Sequence, residues 1–235
     1  MPFRLPRWIA HRGGGSSAPE NTLLGIRRAA AAGFQAVEFD VMLSGDGTPV
    51  LFHDETLERT TNGSGRVSDT PDDILFALDA GEGERVPSLK AALQLCQTLN
   101  LAVNLEIKPA GGFEIETAQV AVAQAELLWS AASPVLLYSS FSPAALAVAR
   151  RLAPARPRGL LFEKPPEDWP ARLRELEATT LHCAAKAIDE SLLQTAVALS
   201  VPVLAYTVNE RSEAGRLFAQ GVSAVFTDCL DFCRT

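Results

Sequence analysis

Four clusters of charged and imidazole side chains follow short apolar runs in the first half of the chain: His11-Arg12, Glu38-Phe39-Asp40, His53-Asp54 and Glu106-Ile107-Lys108. Glu38 and Asp40 are two residues apart, so on a strand they share a face. Glu106 would join them from a neighbouring strand. Three carboxylates gathered in one place repel one another unless a cation lies between them. An all-oxygen ligand set suits Mg²⁺ or Ca²⁺, with Mn²⁺ also admitted, better than zinc. An isolated Glu-x-Asp would simply pair with Arg12 and Lys108; two histidines and two cations close by favour the metal. His11 and His53 suit proton transfer, and neighbouring carboxylates would favour their charged form. Arg12 offers a planar fork for phosphate oxygens and Lys108 a point charge. The competing role for Lys108 is an ordinary ion pair with Glu106 or Glu38. His182 has no acidic neighbours and reads as a structural hydrogen bonder or a substrate contact.

The elements that must position these groups alternate along the chain. Strands are predicted at residues 8–10, 36–40, 50–53, 102–107, 135–139, 159–162, 180–182, 203–207 and 224–226. Helices are predicted at 21–32, 88–99, 113–129, 142–152, 168–177, 189–199 and 209–220. Ser142-Pro143 supplies a cap followed by a proline at the first helical position, and Asn209 can cap the last helix. Alternating strands and helices imply a parallel sheet. One strand is surplus to an eight-stranded barrel. The link 42–49, with Gly45-Asp46-Gly47 in it, is too short for a parallel crossover, so 50–53 should return as a hairpin arm. Eight parallel strands remain: a (β/α)₈ TIM barrel in one domain, 1–235, with an inserted hairpin and cap over about 42–87. Active sites in such barrels lie at the C-terminal strand ends, where all four clusters fall. The later strands end in milder groups, among them Ser139, Ser140, Glu163, Asn209 and Asp228.

The chain has 235 residues, 47% of them hydrophobic and 21% charged, which argues against disorder, collagen and coiled coil. With 21 basic and 28 acidic residues the net charge is −7, so no general footprint for nucleic acid exists. Cys96, Cys183, Cys229 and Cys233 fit neither a zinc ribbon nor a redox pair, and free thiols in a reducing cytoplasm are expected. The opening MPFRLPRW carries no apolar run of the secretory kind. The apolar stretch 119–138 is broken by Gln124, Glu126 and Pro134, a helix plus a strand rather than a membrane insertion. Gly13-x-Gly15-x-x-Ala18 formally satisfies the dinucleotide fingerprint, which makes an oxidoreductase a weaker alternative. Pro19-Glu20 before the helix and the lack of a doubly wound strand order count against it.

Taken together, His11-Arg12-Gly13, Pro19-Glu20-Asn21-Thr22, Glu38-Phe39-Asp40-Val41, His53-Asp54, Leu57-Glu58-Arg59-Thr60-Thr61-Asn62-Gly63, Glu106-Ile107-Lys108, Ser140-Phe141, Tyr206-Thr207-Val208-Asn209 and Phe226-Thr227-Asp228 resemble the glycerophosphodiester phosphodiesterase family. The likeness runs in order over nearly the whole chain and is most like the cytosolic bacterial branch. It implies a TIM barrel, a divalent cation, and cleavage of glycerophosphodiesters to sn-glycerol 3-phosphate and an alcohol. By motif position the metal ligands would be Glu38, Asp40 and Glu106, the acid/base pair His11 and His53, and the phosphate holders Arg12 and Lys108. Glu20 would steer Arg12, and Phe141, His182 and Tyr206 would border the substrate, with Tyr206 standing where many members carry Trp. A cyclising phosphodiesterase that stops at a cyclic phosphate is the alternative within this chemistry. The headgroup, the native ion and the oligomeric state are not written in the pattern.

Overall fold

A computed structural model describes residues 5–233; part of the opening stretch, residues 1–4, lies outside it. Among the described residues nine strands form: β1 (Trp8–Ala10), β2 (Ala36–Leu43), β3 (Pro49–Leu51), β4 (Ala102–Ile107), β5 (Leu136–Ser140), β6 (Arg158–Phe162), β7 (Thr180–Ala184), β8 (Val203–Tyr206) and β9 (Ala224–Thr227). The helices are α1 (Leu23–Ala31), α2 (Asp72–Leu75), α3 (Leu89–Thr98), α4 (Glu114–Leu128), α5 (Pro143–Leu152), α6 (Trp169–Glu175), α7 (Glu190–Ala198) and α8 (Arg211–Ala219). None of them is long and apolar enough to cross a membrane.

Eight strands are parallel in the order β1-β9-β8-β7-β6-β5-β4-β2, and β1 pairs with β2 to close the ring. The helices lie outside, so the sheet is covered on both faces and β2 is buried along its whole length. This is a TIM barrel. Its closed order is incompatible with a doubly wound dinucleotide sheet. The third strand returns antiparallel, with Leu43 opposite Pro49 and Val41 opposite Leu51. That pairing draws β2 out to Leu43, three residues beyond the predicted end.

Caps set most helix starts. Thr22 accepts from Gly25 N at 3.2 Å, Ser142 from Ala145 N at 3.2 Å ahead of Pro143, and Asp189 from Leu192 N at 2.8 Å. Two sequence expectations need correction here. Asn21 is not helical: it takes φ 55° and turns inward, so α1 begins at Leu23. Asn209 does not cap α8, whose cap position is Glu210 without a side-chain bond. Its amide is spent on Asp228 instead.

The segment after β3 carries its own small core. Phe52, Leu57, Val67, Leu75 and Val86 pack with Met42 and Val50 of the hairpin. It is tied to the barrel through α1: Glu84 accepts from Leu24 N at 3.0 Å and Glu82 pairs with Arg28 at 2.7 Å. The helix α2 is one turn long and shows no periodicity in the sequence.

Gly15 brings the first loop against the last. It has φ +53°, and a Cβ there would run into the Asp228 backbone. Gly15→Ala should therefore cost about 1–3 kcal/mol through overpacking and backbone strain. Urea unfolding measures this, and an unchanged midpoint would show that the two loops are not in firm contact.

Candidate active site

A cavity of about 530 Å³ opens at the C-terminal ends of the strands. Every predicted site residue lines it: His11, Arg12, Glu38, Asp40, His53, Glu106, Lys108, Phe141, His182 and Tyr206. None of residues 54–87 does, so the insertion stands beside the mouth.

Parallel pairing of β2 and β4 sets Asp40 directly opposite Glu106, while Glu38 lies two residues back on the same inward face. One oxygen from each of the three carboxylates falls within 4.8 Å of the others, and all three residues are buried. Their other contacts are local. Glu38 Oε2 accepts from Arg12 N at 2.8 Å, and Asp40 Oδ2 accepts from Asn21 Nδ2 at 2.9 Å. Glu38 Oε1 and Glu106 Oε1 are buried with no hydrogen-bond partner. Burial, compounded by the neighbouring carboxylates, pushes Glu38 and Glu106 well above the ordinary carboxylate range. Orphaned, dry, all-oxygen ligands of this kind fit a hard divalent cation, whose charge would offset both desolvation and repulsion.

His11 and His53 are each anchored at Nδ1 by an acid, which turns Nε2 away from that acid. His11 donates to Asp228 Oδ1 at 2.8 Å. Asn209 holds that aspartate twice, donating from Nδ2 to Oδ2 at 2.8 Å and accepting from Asp228 N at 2.8 Å. His53 donates to Asp54 Oδ1 at 2.6 Å. Lys108 Nζ lies 2.6 Å from His53 Nε2. An ammonium can only donate, so that nitrogen accepts and the ring is the neutral Nδ1–H tautomer. Burial, with the charges of Lys108 and Arg12 added, holds His53 below its ordinary range despite the pull of Asp40 and Asp54. The nearby acids do favour the charged form of His53, as expected, but desolvation outweighs them.

Arg12 reaches the mouth from a left-handed backbone, φ 48°. Its Nη1 donates to both Glu20 oxygens at 3.0 and 3.1 Å, as expected for a steering acid. Its Nε is buried without a partner, 3.9 Å from Asp40 Oδ2. Lys108 Nζ stands 3.6 Å from Asp40 Oδ1 and 3.6 Å from Glu106 Oε1, so the ion pair foreseen with Glu106 forms and that with Glu38 does not.

The opposite wall is softer. Phe141 and Tyr206 meet edge to face at 6.1 Å, and Tyr206 donates its hydroxyl to Phe162 O at 2.8 Å. His182 is fully buried, its Nε2 2.9 Å from Thr180 Oγ1 and its Nδ1 unpartnered. Burial pushes it down to about 3, so it stays neutral. Sequence reasoning missed the anchoring roles of Asp54, Asp228, Asn209 and Asn21, and the inward Asn104 with its orphaned Oδ1. Two signals were available: Asp54 directly follows His53, and Asn104 precedes Glu106 by two residues on β4.

The profile of the glycerophosphoryl diester phosphodiesterase family matches residues 11–232. The chain belongs to that family. It is thereby a phosphoric diester hydrolase. A glycerophosphodiester phosphodiesterase from Caldanaerobacter subterraneus subsp. tengcongensis is 33% identical over 228 residues, covering 94% of this chain and 93% of that one. Glycerophosphodiester phosphodiesterase 1 from Mus musculus is 43% identical over 109 residues, covering 43% of this chain and 33% of its own. Among solved structures, an Oleispira antarctica phosphodiesterase in complex with the product sn-glycerol-3-phosphate superposes with a TM-score of 0.93. It is 40% identical, over 95% of this chain and 93% of that one.

Raised carboxyls have a consequence for stability. The folded family member retains protons at Glu38 and Glu106 that the unfolded chain gives up near its ordinary 4.5. Stability of the cation-free protein therefore falls as pH rises from that value through the folded pKa values. A divalent cation bound at the triad would displace those protons and remove the penalty. The rise in Tm on adding MgCl₂ or CaCl₂ should be larger at about pH 8 than at about pH 5.5. Differential scanning calorimetry checks it; equal shifts at both pH values would separate the cation from these carboxyls.

Proposed function

We propose that the chain hydrolyses glycerophosphodiesters to sn-glycerol 3-phosphate and an alcohol, using a divalent cation at Glu38, Asp40 and Glu106 and proton transfer by His11 and His53. One observation carries the reading: a buried carboxylate triad with two oxygens that lack any hydrogen bond shares its cavity with His11 and His53, each anchored at Nδ1. The sn-glycerol-3-phosphate in the Oleispira antarctica structure supports the product.

Glu38, Asp40 and Glu106 would hold Mg²⁺, Ca²⁺ or Mn²⁺, which would supply Lewis-acid polarisation of the phosphoryl group when bound. Arg12 brings its open Nε–H edge to the phosphoryl oxygens. Lys108 leaves His53 Nε2 for the incoming phosphate and adds a second positive charge. His53, neutral and freed at Nε2, takes the proton of the attacking oxygen, and Asp54 stabilises the imidazolium that forms; the attacker is water, or the substrate's glycerol 2-hydroxyl with water then opening the cyclic phosphate. His11, held by Asp228, gives its Nε2 proton to the leaving alcohol oxygen. Phe141, Tyr206 and His182 line the rest of the substrate's path. One positioned acid or base contributes about 10²–10⁴-fold, so two account for at most about 10⁸. Charge stabilisation and positioning must supply what remains of a phosphodiesterase's acceleration. Four free thiols suit a reducing cytoplasm, and a small water-soluble diester suits an enzyme that works there.

Turnover of glycerophosphocholine, glycerophosphoethanolamine and glycerophosphoglycerol, read as released glycerol 3-phosphate, tests the reading. Phosphorus NMR separates its two forms: a cyclic phosphate that persists as end product would make the enzyme a cyclising one. Excess EDTA should abolish turnover and Mg²⁺, Mn²⁺ or Ca²⁺ restore it; full activity in EDTA would remove the cation from the mechanism. His53→Ala should lower kcat by at least about 10²-fold with the fold retained. A kcat near wild type would leave His53 a bystander.

A further inference from the structure

One cation at the mouth has no part in the mechanism above. Arg59 lies in the insertion, and its side chain is 46% exposed. Its guanidinium forks two ways. Nη1 and Nη2 donate to Glu20 Oε2 and Oε1, each at 2.7 Å. Nε and Nη2 donate to the two oxygens of Asp54, the latter at 3.0 Å. Glu20 is the acid on which Arg12 rests, and Asp54 is the acid that anchors His53.

We propose that Arg59 is a positioning residue for the phosphodiester reaction, one guanidinium locking the acid behind His53 to the acid behind Arg12. The inference rests on the functional reading above, in which His53 moves a proton and Arg12 holds phosphate. The result is a continuous charge-assisted chain, His53–Asp54–Arg59–Glu20–Arg12, spanning the two arms that must meet the substrate together. Bidentate pairing at both ends fixes orientation as well as distance. Without Arg59, Glu20 would keep only Arg12, and Asp54 only His53. Asp54 would then be free to turn from His53, and Glu20 would lose the partner opposite Arg12.

The turn that presents Arg59 is built to hold still. Leu57 is buried in the insertion's core. Thr61 donates from both N and Oγ1 to Leu57 O at 3.1 and 2.8 Å, and Gly63 N donates to Thr61 Oγ1 at 3.0 Å. Asn62 and Asp79 exchange two bonds, at 3.1 and 2.9 Å. A Cβ on Gly63 would meet Leu78 Cδ1 at 2.7 Å, so Leu78 closes over the turn. Residues 55–87 thus line none of the cavity and still reach the reacting groups through the Arg59 side chain.

Exposed ion pairs add little to folding, so a purely adhesive Arg59 would be nearly dispensable for catalysis. The test is steady-state kinetics on glycerophosphocholine, at saturating divalent ion, for wild type, Arg59→Ala and Arg59→Lys, with Tm measured on each. Arg59→Ala should lower kcat/KM by about 10–100-fold, the usual effect of losing a group that orients a reacting one. It should lower kcat and raise KM together, because both arms loosen, while Tm stays close to wild type. Added guanidinium ion should restore turnover to Arg59→Ala and leave wild type unaffected. Arg59→Lys should recover only part, since a point charge cannot span two carboxylate forks. Wild-type kcat and KM in Arg59→Ala would overturn the proposal. So would a loss that tracks Tm and that neither lysine nor guanidinium relieves. If Arg59→Ala does not fold, Arg59→Lys decides: reduced kcat/KM at wild-type Tm supports the role, and unchanged kinetics overturn it. An inert wild type would sink the functional reading itself, whereas an active wild type with an unimpaired variant sinks only the role of Arg59.

Discussion

Three carboxylates within 4.8 Å of one another, shut away from water, are electrostatically untenable alone, and the rest of the mouth is organised around that fact. Two cations, Arg12 and Lys108, stand close to the cluster. Asn21 abandons the helix it would have begun and bonds Asp40 through both ends of its amide. Arg12 accepts a left-handed backbone so that its N–H can reach Glu38. Strain at two adjacent turns is tolerated because the buried acids must be satisfied from somewhere. The same requirement explains His53: with Lys108 drawn inward by Asp40 and Glu106, its Nζ also meets the imidazole, which answers by staying neutral.

The fold was largely legible because two physical rules sufficed. Alternation of apolar runs with helical periodicity defines a parallel sheet, and the shortness of the link after Asp40 decides which strand is the odd one. β4 lies where its residues predict, at Ala102–Ile107. The departures come from tertiary pairing: β2 lengthens because a hairpin arm pairs with it, and α2 exists only as one turn against the insertion's core. The acids, imidazoles and cations foreseen at the strand ends do gather around one cavity. What could not be read was how they are held. His11 and Asp228 are 217 residues apart, and no local pattern announces that bond. Desolvation, which settles the charge of His53 and His182, is a property of the packed interior and not of any neighbour in sequence. Asn209 shows the converse, a good cap by type whose side chain finds a better use across the barrel.

The residues proposed for proton transfer and phosphate binding are divided between the barrel and its insertion. Arg12, Lys108 and His11 belong to strand ends or the loops directly after them, whereas His53 and Asp54 open the segment that leaves β3. That segment has its own core and its own ties to α1, so its geometry is transmitted to the mouth through a few charged contacts and not through shared apolar packing.

The bond between His11 and Asp228 joins the loop after the first strand to the loop after the last, and β1 itself finds one of its two neighbours only when β9 arrives. A chain emerging from the ribosome therefore has a complete mouth only after β9 and Asp228 have left the exit tunnel: until then His11 lacks its anchor and the ring stays open.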